Sequence, residues 1–82
     1  MHAALGGSEK VANMVLNAGA EVDARNAEGS TALMGASLQG HIGVVRVLLD
    51  RGADKTITDG QKATALVIAR TRGLTDIVNL LE

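Results

Sequence analysis

The feature that most constrains this chain is a repeat of 33 residues. Shifted against itself by that distance, the sequence matches at fifteen of forty-nine aligned pairs, where its composition gives roughly four by chance. Gly7 falls on Gly40 and Gly73, Ala3 on Ala36 and Ala69, and Gly19-Ala20 on Gly52-Ala53. Thr31-Ala32-Leu33 falls on Thr64-Ala65-Leu66, Leu16 on Leu49, and Leu48 on Leu81. The repeated residues are those that set geometry: glycines at chain breaks and aliphatics at helical spacing. A unit of this size cannot bury its own apolar face, so stacking on neighbours has to build the core.

Each period reads as two short helices. The first runs from Thr31 to about Gln39 and places Leu33, Ala36 and Ser37 on one face, at i, i+3, i+4 spacing. Gly40 ends it. The second spans Ile42 to Arg51, with Val44, Val45, Val47, Leu48 and Leu49 supplying a broad apolar face, and Gly52 closes it. Polar segments, 53–63 and 19–30, lead into the next unit. Ser8 and Thr75 are the expected N-caps of the outer helices, with Glu9 and Asp76 in their first turns. Phe, Tyr and Trp are absent, so the core must come from Ala, Val, Leu, Ile and Met, which suits thin, closely spaced helices.

The segments Gly29-Ser30-Thr31-Ala32-Leu33, Ala36-Ser37-Leu38-Gln39-Gly40-His41 and Val44 through Asp54 resemble the ankyrin repeat. Ala69 to Gly73 and Asp76 to Leu81 look like a C-terminal repeat of such a stack. The resemblance covers nearly the whole chain. It implies an all-α fold, an ankyrin-repeat solenoid of stacked antiparallel helix pairs joined by β-hairpin-like loops. Residues 1–82 would form a single domain, with partial repeats at about 1–25 and 59–82 around a full one at 26–58. About two and a half repeats is short of the three that such stacks generally need. The expectation is a fragment, or a protein that completes its core by stacking on a copy of itself.

The chain departs from the family pattern at a few positions. Both family prolines are Ala (Ala32 and Ala65), and the His after Leu is replaced by Met34 and Val67. Lys62 stands where the turn glycine belongs, with Gly60 two residues earlier. The last hairpin tip is therefore expected to rearrange, because a side chain held at positive φ costs about 1 kcal/mol.

Few function classes remain. With no Cys, disulfides and thiolate zinc sites are excluded. No apolar run approaches the ~18 residues of a membrane span, and the N-terminus is too short and weakly basic for a signal peptide. The default is a soluble protein of the cytoplasm or nucleus. Eight basic against nine acidic residues give no electrostatic case for nucleic acid or an anionic membrane. His2 and His41 lack a second ligand at metal spacing; His41 is expected to hydrogen-bond locally between helix and loop. Asp50, Asp54, Asp59 and Asp76 are scattered over loops and helix ends, unlike a paired acid and base. Gly6 to Lys10 lacks the full phosphate-loop spacing. No catalytic residue, metal or cofactor is expected.

By similarity to the family, whose partners bind the hairpin tips and the concave face of the inner helices, a strip of protein-binding positions can be placed. It comprises Leu5 in the first repeat and Ala27, Glu28, Ser30, Leu38 and Gln39 in the middle one. Gln61, Ala63, Thr71 and Arg72 complete it in the last. Leu38 and Arg72 are the expected anchors. Lys62, Arg70 and Arg72 are expected to form a basic spot, suited to solvation or an acidic partner surface. A runner-up reading is a structural element that self-associates, as a homodimer or end-to-end stack, through repeat ends where Val11, Val15, Ile77 and Leu80 are poorly covered.

Overall fold

A computed structural model describes residues 9–82 of the chain. Five helices are described: α1 (Glu9–Asn17), α2 (Ala32–Gln39), α3 (Ile42–Asp50), α4 (Ala65–Thr71) and α5 (Thr75–Leu81). Among the described residues there is no strand. α2 and α4 form an inner row, packed side by side; α1, α3 and α5 form an outer row, in which α3 packs against both of the others. Each inner helix also packs on the outer helix that follows it. This is the stacked-pair arrangement that the 33-residue period predicts.

Helices of seven to nine residues are too short to be stable alone in water. Their ends are defined by capping. Thr31 and Thr64 occupy the N-caps of α2 and α4 in extended conformation, with each hydroxyl accepting from the N–H three residues on, at 3.4 and 3.3 Å. Gly40 ends α2 at φ 78°, where the His41 N–H reaches back to the Ala36 carbonyl at 3.0 Å. A residue with a Cβ would be strained there. Gly73 and Leu74 repeat that arrangement, with the Leu74 N–H on the Ala69 carbonyl at 3.0 Å.

Burial by stacking supplies the rest. Leu33, Val44, Val45, Leu48 and Ile77 are buried, and so are the small residues Ala12, Ala36, Ala65 and Ala69. Each larger side chain withdrawn from water contributes about 1.5–3 kcal/mol. Ser37 is buried too, and its hydroxyl donates to the Leu33 carbonyl at 2.7 Å, which removes the penalty of an unmatched polar group.

Several expectations require correction. Ile77 is not poorly covered but 2% exposed. It falls in register with Val44, which is also buried, so the position faces the core rather than a repeat end. Val11, Val15 and Leu80 are half-buried. Thr75 is the first residue inside α5 rather than its N-cap, which is Leu74, in register with His41 at the N-cap of α3. His41 makes no side-chain cap there, contrary to its expected local role. Asp76 and Glu9 do lie in first turns, whereas Ser8 lies outside the described residues.

The last hairpin tip does not rearrange. Lys62 takes φ 64° where Gly29 takes 79°, and the hydrogen bonds of the two tips superimpose in pattern. In one, the Asn26 N–H donates to the Ser30 carbonyl and the Gly29 N–H to the Asn26 carbonyl, both at 2.9 Å. In the other, Asp59 donates to Ala63 at 3.0 Å and Lys62 to Asp59 at 2.9 Å. The side-chain oxygens Asn26 Oδ1 and Asp59 Oδ1 each accept two further N–H groups of their own tip, at 2.8–3.0 Å. With four bonds holding the turn, the backbone strain at Lys62 is tolerated.

Candidate functional site

Side-by-side packing of α2 and α4 leaves a groove between them, roofed at one end by the two hairpin tips. The tips sit close together: the Gly60 N–H donates to the Glu28 carbonyl at 3.1 Å. A Cβ on Gly60 would stand 3.2 Å from that carbonyl, and one on Gly29 would stand 3.2 Å from the Gly60 nitrogen. The groove has a volume of about 500 Å³. From the tips it takes Asn26, Glu28, Ser30, Asp59, Gln61 and Ala63. Met34, Gly35, Leu38 and Gln39 line it from α2, and Val67, Ile68, Thr71 and Arg72 from α4.

The structure gathers most of the strip expected from sequence into this one groove. Glu28, Ser30, Leu38, Gln39, Gln61, Ala63, Thr71 and Arg72 all line it. Ala27 is exposed on its tip but does not line the groove, and Leu5 lies outside the described residues. Val67, which the sequence reading passed over, is 47% exposed, as open as Leu38 at 46%. The repeat register gave no signal for it, because its counterpart Met34 is only 2% exposed. Asn26 and Asp59 could have been found by the 33-residue register itself.

The apolar lining consists of the exposed Leu38 and Val67 with the buried Met34 and the half-buried Ile68. Two exposed aliphatics of this size in one depression form a small surface that gains from being covered. The polar groups are separated along the groove. Glu28 and Asp59 belong to the tip end, and Arg72 caps the C-terminal end of α4. Asp59 uses only Oδ1 within its tip, leaving the other carboxylate oxygen available. The Thr71 hydroxyl donates to the Val67 carbonyl at 2.9 Å, so it is committed within α4 and offers only acceptor capacity.

Of the three expected basic residues, Arg70 pairs with Glu82 at 2.9 Å, and neither Arg70 nor Lys62 lines the groove. Arg72 alone faces it. Among the described residues no group of His, Asp and Glu could hold a metal ion, and no helix is long and apolar enough to cross a membrane. A shallower depression of about 360 Å³ lies where Gly40, Ile42, Gly73 and Leu74 turn from inner to outer helix.

A family model described as ankyrin repeats in three copies matches residues 1–82. No curated protein matches the chain.

Proposed function

We propose, from the premise that this chain belongs to the ankyrin-repeat family, that it binds a partner protein through the groove between α2 and α4. Ankyrin repeats are generally protein–protein interaction modules and form a non-catalytic scaffold. Fold membership does not choose the surface. The observation that carries the choice is the pair Leu38 and Val67, exposed at 46% and 47% on facing helices of one groove. Water-facing aliphatics in a depression contribute binding energy when a partner side chain displaces that water. With no Trp or Tyr in the chain, affinity rests on these aliphatics and on Arg72, and is modest. On this reading residues 1–82 act as one unit, with repeats at about 1–25, 26–58 and 59–82, and the partner meets it in an aqueous compartment, the cytoplasm or nucleus.

The test is a selection of ligands displayed against the folded chain, followed by affinity measurement with Leu38→Asp and Arg72→Glu. Both positions are exposed, so helicity should be retained. Leu38→Asp should weaken binding roughly tenfold or more, about 1.4 kcal/mol. Ligands that bind both variants as they bind the parent would remove the groove from consideration.

Self-association is the second reading, and Met14, 60% exposed on α1, favours it. Sedimentation over a wide concentration range separates the two: a species that stays monomeric at the highest concentration argues against it.

A further inference from the structure

The groove between α2 and α4 is electrically polar along its length. Glu28 and the free oxygen of Asp59 lie at the tip end; Arg72 lies at the far end; Leu38 and Val67 lie between. The one ion pair among the described residues joins Arg70 to Glu82, so neither Glu28 nor Arg72 is neutralised by a described neighbour. α4, seven residues long, rises about 10 Å. With a residue or two at each end, the two charged ends stand about 15 Å apart. An extended chain advances about 3.3 Å per residue and presents alternate side chains to one face. Positions 1, 3 and 5 of a strand-like segment would therefore meet the acidic end, the apolar floor and the arginine in turn.

Resting on the groove assignment above, we propose that the occupant is an extended peptide segment of about five residues. It carries a basic side chain at its first position, an aliphatic one at the third and an acidic one at the fifth. The segment therefore runs with its first residue at the tip end and its fifth at Arg72. Both charge pairs are at the open rim, where such pairs contribute little each; they select among peptides, while the aliphatic side chain supplies the contact.

The experiment is an NMR titration of the ¹⁵N-labelled chain with end-capped pentapeptides at millimolar concentration, as suits a small interface. The probes are Lys-Ser-Leu-Ser-Glu, the doubly acidic Glu-Ser-Leu-Ser-Glu, the doubly basic Lys-Ser-Leu-Ser-Lys, and Lys-Ser-Ser-Ser-Glu, which lacks the apolar residue. The mixed-charge leucine peptide should shift amides of α2 and α4, and bind roughly two- to fivefold tighter than either like-charged peptide. The serine peptide should shift none of them. In Arg72→Glu the preference should pass to the doubly basic peptide. That exchange cannot arise from unfolding.

Equal binding of all three leucine peptides, with no exchange in Arg72→Glu, overturns the charge pattern and leaves the apolar groove standing. No shift of any groove amide with any peptide also overturns it. If ligands from the display selection then bind Leu38→Asp undiminished, the groove assignment falls as well.

Discussion

Replacing Lys62 with glycine should stabilise this protein, although it removes a side chain and adds no contact. Lys62 is the one non-glycine residue at positive φ among those described, and it occupies the place that Gly29 holds one repeat earlier. Holding an L-residue in the left-handed region costs about 1–2 kcal/mol. Glycine relieves this strain but enlarges the freedom of the unfolded chain, which offsets about 0.5–1 kcal/mol. The difference leaves a gain of about 0.5–1 kcal/mol. For a domain of this size that raises the Tm by about 2–8 °C. Thermal and urea unfolding followed by circular dichroism at 222 nm would measure it. Lys62→Ala serves as the control, because it deletes the amine and keeps the strain; it should leave stability nearly unchanged. Gly29→Ala should do the reverse of Lys62→Gly, and by more, because its Cβ would also crowd the Gly60 nitrogen at 3.2 Å. A Lys62→Gly protein no more stable than Lys62→Ala would refute the argument that the tip is strained.

Leu48→Ala, at a side chain 1% exposed, should cost about 2–5 kcal/mol, enough to unfold much of a small domain; an unchanged urea midpoint would contradict the packing described. Thr31→Ala removes the N-cap of α2 and should cost about 1 kcal/mol, read as a lower Tm, whereas Thr31→Ser should recover most of it. Asp54 should titrate below the ordinary aspartate range, since the Thr56 hydroxyl and N–H both donate to its Oδ1 at 2.6 and 2.8 Å, with a smaller contribution from Arg25. Its folded pKa being the lower one, the contribution to stability is present above the unfolded value of ~3.9 and disappears as pH falls through the folded value. Carboxyl ¹³C titration of the parent and of Thr56→Val would show it, the variant moving back up; a parent midpoint at or above ~3.9 would count against the geometry.

Much of this architecture was legible because the residues that end helices are of few kinds. Gly40 and Gly52 each closed a helix within one residue of its expected end, because a left-handed stop leaves little choice of side chain. Thr75 misled for an instructive reason. Capping preference favours a hydroxyl residue before a helix, but the repeat register aligns Thr75 with Ile42, the first residue of α3. Register reflects the packing of the whole unit, and it outweighed a local preference worth about 1 kcal/mol. Ile77 is buried, against the expectation of poor cover, because its register position, shared with the buried Val44, faces inward. In the groove, the strip expected by similarity to the family accounts for eight lining positions, whereas Asn26, Met34, Gly35, Asp59, Val67 and Ile68 stood outside it. The openness of Val67 was not legible in the register, since its counterpart Met34 is only 2% exposed. Identical register fixes where a residue points, but the neighbouring helix decides whether water reaches it.

The side-by-side packing of each helix pair on its sequence neighbours also bears on how quickly the chain finds its structure. The main helix contacts lie within one repeat or between adjacent repeats, about one 33-residue period apart, so only modest loop-closure entropy opposes the first productive encounter. Refolding should be complete within milliseconds or faster, and could start at any adjacent pair and spread along the array. With no proline in the sequence, no slow isomerisation phase should follow.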